Sequence, residues 1–150
     1  MRILTMASHS MLHLGGLVAA TLLLSVAELR ANEMVDVVLI DHGMESMHMD
    51  LSKSQVKAGT VTFNVTSKSE TLIHEFVVVK AGQAVESWPY NDSENKVEEE
   101  GLEAVKELEG IEPGKSGTLT VDLEPGTYAL FCNLAGHFKG GMVTTLVVTE

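Results

Sequence analysis

One short segment near the C-terminal end gathers three side chains with affinity for soft metals. It reads Phe131-Cys132-Asn133-Leu134-Ala135-Gly136-His137-Phe138-Lys139-Gly140-Gly141-Met142 and holds the only cysteine of the chain. A histidine follows that cysteine after four intervening residues, and a methionine follows after four more. A thiolate, an imidazole and a thioether on one tight loop are three of the four donors of a mononuclear copper site. There, two His and one Cys form a trigonal set with a weak axial Met. Gly136, Gly140 and Gly141 permit the turns that would aim His137 and Met142 at one centre. Zinc competes for Cys and His, but a thioether is a poor zinc ligand, so Met142 argues for copper.

The second imidazole must come from elsewhere. The chain has six histidines, of which His9 and His13 lie in an N-terminal apolar stretch, leaving His42, His48 and His74 beside His137. His74 is the best placed of the three. It opens an apolar run after a polar stretch, so its side chain can sit at the rim of a sheet and meet a loop joining two later strands. A separate cluster, His42-Gly43-Met44-Glu45-Ser46-Met47-His48-Met49, packs two His and three Met into eight residues. Thioethers with imidazoles select Cu(I), so this is a candidate secondary site whose exposed members would be His42, Met44 and His48. The alternation of Met47 and Met49 equally suits two core residues on one strand face.

These donors need a rigid frame. Val35, Val37 and Leu39, then Met47, Met49 and Leu51, then Val61, Phe63 and Val65 recur at period two. His74 to Val79, Gly117 to Leu123, Thr127 to Cys132 and Met142 to Thr149 read as further strands, with turns at Lys57-Ala58-Gly59, Pro113-Gly114 and Glu124-Pro125-Gly126. Seven or eight short strands predict an all-β, Greek-key β-sandwich. Between 81 and 114 the rhythm breaks. Val97, Leu102, Val105 and Leu108 fall at roughly helical spacing, so Asn95 to Leu108 is expected to form a short acidic amphipathic helix ended by Gly110.

The first residues are expected to lie outside this domain. Arg2, an apolar run from Leu12 to Val26 and the small residues Ser25-Val26-Ala27 read as a secretory signal peptide over 1–27, with Ala31 a rival cleavage point. The mature domain then covers 33–150. Export to an oxidising compartment, the periplasm, gives the lone Cys132 no internal disulfide partner and leaves it as a ligand or a free thiol. The net charge is −11, and loss of Arg2, Glu28 and Arg30 with the leader brings it to about −12. That excludes nucleic acid and anionic membrane surfaces as partners and favours a monomer that meets basic proteins. The run Glu98-Glu99-Glu100, with Glu103, Glu107 and Glu109, would steer such a partner or simply be a solvated face.

His74-Glu75-Phe76-Val77-Val78, Pro125-Gly126-Thr127-Tyr128 and Cys132 to His137 with Met142 together resemble the cupredoxin family. The similarity is to small periplasmic copper proteins related to plastocyanin, azurin and auracyanin. It runs over about residues 33 to 150, and it implies a β-sandwich with one type 1 copper that cycles between Cu(I) and Cu(II). The ligands implied are His74, Cys132, His137 and Met142. Leu134 and Phe138 are implied to border the partly exposed edge of His137, where electrons would pass to a redox protein such as a cytochrome or a copper-dependent oxidase or reductase. Many members carry Asn directly after the upstream His, where it ties the ligand loops together. Here that position is Glu75, which bears on potential and rigidity. Four mature histidines cannot build a trinuclear oxidase cluster, and no His-Glu-x-x-His pattern occurs, so an enzyme is not expected. Electron carriage is the first reading. Copper homeostasis, resistance or delivery is the alternative, favoured by the His42–Met49 cluster.

Overall fold

The computed structural model describes residues 31–44 and 46–150. The expected signal peptide at 1–27 lies outside the described residues. Two sheets face each other. The first has the order β2 (Met47–Leu51), β1 (Ala31–Asp41), β4 (Gly59–Ser67), β9 (Ser116–Leu123). The second has the order β3 (Gln55–Lys57), β11 (Val143–Thr149), β10 (Gly126–Phe131), β5 (His74–Lys80), β8 (Glu103–Ile111). Most neighbours are antiparallel, whereas β1 with β4 and β3 with β11 run parallel. The turn read at Lys57-Ala58-Gly59 is the point where the chain leaves the second sheet after β3 and enters the first as β4.

Period-two patterning dictates the core. In β4 burial alternates along all nine residues, with Val61, Phe63 and Val65 fully buried. Met47 and Met49 are buried while His48 and Asp50 face out, as the alternation of β2 requires. These residues pack against Phe76, Val78, Tyr128, Leu130, Leu146 and Val148 from the second sheet. The runs Phe76-Val77-Val78-Val79 and Tyr128-Ala129-Leu130-Phe131 do not alternate because both faces of β5 and β10 are covered. Their outer face carries a second cluster, in which Trp88 and Val97 cap Val77, Val79, Ala129 and Phe131. The cap is built from a single 3-10 turn at Val85–Ser87 and the small hairpin β6 (Tyr90–Asn91) and β7 (Lys96–Val97).

The helix expected over Asn95 to Leu108 is not formed; the segment contributes β7 and most of the edge strand β8. Two bulges in β8 explain the misleading spacing. His74 pairs with Ile111, Phe76 with Leu108, Val78 with Lys106 and Val79 with Ala104, so β8 advances by an extra residue twice. Two such insertions break the period of two: Leu108 and Ile111 stand three apart on the main-core side, while Leu102, just ahead of β8, packs on the outer cluster. Gly110, with φ of 64°, is a bulge glycine in the left-handed region rather than a helix stop. A helix would also stack Glu99, Glu103 and Glu107 at i, i+4, where like charges repel.

Candidate metal centre

β5 begins at His74 and β10 ends at Phe131, one residue before Cys132, and the two strands are neighbours. The sheet therefore delivers an imidazole and a thiol to the same end of the sandwich. The loop from Cys132 to Met142 folds back as a set of tight turns. The His137 N–H donates to Leu134 O, Gly140 N–H to Gly136 O, Gly141 N–H to Phe138 O, and Met142 N–H to His137 O. Cys132 N–H donates to Met142 O at 3.0 Å and closes the loop at its base. Gly141 has φ of 105°, and a Cβ there would run into the Met47 carbonyl oxygen. Only glycine fits that approach, which brings the loop against β2 through Met47 N–H and Gly140 O.

Three donor atoms converge. His137 Nδ1 lies 3.3 Å from Cys132 Sγ and 3.2 Å from His74 Nδ1, and the three donors lie within 4.8 Å of one another. Three ligands held about 2.0–2.3 Å from one ion must sit roughly 3.5 Å apart. All three residues are buried. Met142 is fully buried in the same core cluster as Cys132 and is joined to His137 and Cys132 through the backbone. The donor set, two nitrogen lone pairs facing one sulfur, fits a soft or borderline cation and suits copper in both oxidation states.

The surroundings prepare each donor differently. His74 Nε2 lies 3.0 Å from Asp41 Oδ2, with both side chains almost wholly buried (0% and 3% exposed). Burial alone would raise the Asp41 carboxyl, but hydrogen bonds from Ser69, His74 and the Gly43 N–H outweigh it and hold the group below its ordinary value. Burial pushes the Cys132 thiol up to about 11, against hydrogen bonds from the Glu75 and Leu134 N–H groups that favour the thiolate. Burial, reinforced by repulsion from His74, lowers His137 and keeps its lone pairs available. The Nε2 edge of His137 is the part that reaches solvent. Among the described residues it has no hydrogen-bond partner, yet no buried side-chain nitrogen or oxygen lacks one.

Glu75 takes over the tie between ligand loops. Its N–H points at Cys132 Sγ at 3.3 Å, and its Oε1 accepts from Asn133 N–H at 2.6 Å. Burial raises this carboxyl above its ordinary value, opposed by the Asn133 N–H. Asn133, which the sequence did not single out, pairs like a strand residue with Val97. It accepts from Val97 N–H at 2.8 Å and donates to Val97 O at 3.0 Å, and its Nδ2 also donates to Glu99. Asp41 was also missed, although a signal was present. It falls in phase with Val35, Val37 and Leu39, a carboxylate at an inward position of an apolar strand.

A family model for the cupredoxin-like domain matches residues 15–144. The chain belongs to the cupredoxin family. No curated protein sequence matches this cupredoxin. Among solved structures it is similar to dithionite-reduced auracyanin from Roseiflexus castenholzii, at 19% identity and a TM-score of 0.55, over 81% of this chain and 99% of that one. It is similar to auracyanin A of Chloroflexus aurantiacus, described as a "blue" copper protein, at 20% identity and a TM-score of 0.57, over 79% and 100%. Rusticyanin from Thiobacillus ferrooxidans aligns at 17% identity and a TM-score of 0.60, over 79% and 77%. At these identities the likeness shows the fold: a cupredoxin β-sandwich.

The remaining candidates take separate places. Leu134 is half-buried against the main core, and Phe138 is half-buried against Trp88, Phe131 and Tyr90. Met44 and Ile73 are about half exposed at the same end; Ile73 precedes His74, and the Met44 methyl covers Gly136. In the secondary segment, Met47 and Met49 belong to the core, while His42, Met44 and His48 are exposed. His48 pairs across β1 with Ile40, whose outward face continues to His42.

Proposed function

We propose that this cupredoxin is a periplasmic type 1 copper protein that carries single electrons between redox partners, with His74, Cys132, His137 and Met142 as ligands. The observation that carries the reading is the buried convergence of His74 Nδ1, Cys132 Sγ and His137 Nδ1 at one end of a cupredoxin sandwich. Copper bound there supplies a one-electron couple between Cu(I) and Cu(II). The protein holds the donors in place so that neither state demands a new geometry. The Cys132–Met142 and Glu75–Asn133 backbone ties fix the loop, and the core excludes water from the thiolate. His137 offers the exit, since its Nε2 edge reaches solvent from a loop that also carries half-buried Leu134 and Phe138. Export under the 1–27 signal peptide, monomeric carriage and a basic redox partner complete the reading.

Adding Cu(II) to the purified protein tests it. An intense visible thiolate-to-copper band is expected, and Cys132→Ser is expected to lose it. A colourless wild-type protein overturns the proposal.

A second reading, copper delivery or resistance, is supported by the outward placement of His42, Met44 and His48 on one hairpin end. It predicts a second bound Cu(I) that disappears in Met44→Ala with His48→Ala. A stoichiometry of one in both proteins removes it.

A further inference from the structure

We propose that Asp41 is a positioning residue that fixes the His74 ring with Nδ1 bare and, as a buried negative charge behind the ligand, biases the site toward the oxidised metal. The proposal rests on the copper reading for its redox half. Its geometric half stands on the metal-free molecule.

Asp41 ends β1, and its inward phase carries the carboxylate to the mouth of the sandwich beside β5. Oδ2 meets His74 Nε2 at 3.0 Å, and Oδ1 accepts the Gly43 N–H at 3.1 Å. A carboxylate only accepts, so the ring proton must sit on Nε2 and the Nδ1 lone pair must face Cys132 and His137. A carboxylate behind a metal-bound imidazole sets its tautomer and orientation and raises its basicity. No lysine or arginine among the described residues pairs with Asp41; its partner is the neutral His74 ring, through a hydrogen bond. Lys68 and Glu70 border the cleft outside it, one charge of each sign, so they leave the Asp41 charge uncompensated to first order. Because the Asp41 and His74 side chains are almost wholly buried, that charge is weakly screened and interacts more strongly with a dication than with a monocation. Among the described residues His137 has no carboxylate hydrogen-bonded behind it, so the tautomer is fixed in this way at His74 alone.

Asp41→Asn keeps a hydrogen-bond acceptor for Nε2–H and removes the charge. In the copper-loaded protein, the ratio of Cu(II) to Cu(I) affinity is expected to fall at least tenfold, within the 10- to 100-fold range of such ligand partners. For a one-electron couple this raises the reduction potential by about 59 mV or more, with the visible band retained. A potential unchanged to within a factor of two in that ratio, with the band intact, overturns the redox half. The wild-type metal-free protein is read independently by long-range 1H–15N NMR of the imidazoles at pH 8. Protonation of His74 on Nε2 is expected, and protonation on Nδ1 overturns the proposal even if the variant fails to fold. A wild type that shows this tautomer but gives no copper band would sink the copper reading and leave the Asp41–His74 pairing standing.

Discussion

His74 and His137 reach the same centre by opposite means. His74 stands at the first residue of a central strand, fully buried, opposite Ile111 and backed by Asp41 from the other sheet. His137 rides on a loop whose turns are closed by local backbone hydrogen bonds and which is docked on its neighbours by Met47 N–H to Gly140 O and Gly136 N–H to Asn95 O, and its outer edge reaches solvent. One ligand stands within a sheet strand, the other on a loop of tight turns docked against β2 and the cap. On the proposed copper reading the contrast would suit an electron carrier: the interior ligand would set the metal's electronic environment, and the loop ligand would open it to a partner.

The largest expected effect separates the two by rescue. His137→Gly leaves a hole with a path to solvent, so added imidazole is expected to restore the copper band. His74→Gly leaves a hole closed by Asp41 and the sandwich core, so imidazole is expected to restore nothing. Visible titration of both variants with Cu(II) and imidazole checks this. Equal rescue of the two would erase the distinction.

The loop side depends on glycine in a way the strand side does not. Gly141→Ala combines φ of 105° with a backbone clash at the Met47 carbonyl, and a loss of roughly 2–4 kcal/mol is expected. Gly136→Ala has φ of 83°, but a Cβ there meets only side chains, first the flexible tip of exposed Met44 and then the Asn95 amide, so about 1–2 kcal/mol is expected. Urea denaturation of the two metal-free variants ranks them, and the reverse order would contradict the account of the loop. Asn133→Ala should cost about 2 kcal/mol, since it strips partners from the Val97 N–H and C=O and removes one of the ties between the cap and the loop. Loss of near-ultraviolet signal from Trp88 would accompany it, and unchanged stability and signal would detach the cap from the site.

Sequence patterning revealed the two sides unequally. The Cys132, His137 and Met142 spacing is local, and so it could be read directly. Alternation in β4 and β2 exposed the sandwich because each of those strands has one face in the core. β8 was misread because its two bulges break the period of two. The partners of His74 and Cys132 were harder still. Asn133 meets Val97 across 36 positions, and Asp41 meets His74 across 33. Such contacts follow from topology, and no short window of residues contains them. The inward phase of Asp41 was the one visible trace.

The smallest expected effect lies at the sulfur where the two sides meet. Cys132 Sγ receives the Glu75 N–H from the strand side and faces His137 from the loop side. Its folded value of about 11 lies above the ordinary 9.0, so between those values the folded protein holds a proton that the unfolded chain has released. That contribution is fully present below pH 9 and is lost as the pH rises toward 11, at about 1.4 kcal/mol for each step of one in pH. Metal-free wild type should therefore weaken by roughly 1–3 kcal/mol across this window relative to Cys132→Ala, measured by urea denaturation at each pH. With copper bound the thiol proton is already gone, so the same window should leave the loaded protein unaffected at Cys132. An alkaline loss of equal size in the loaded wild type would mean that the thiol is not a ligand, and the sulfur would then no longer belong to the centre the two histidines share.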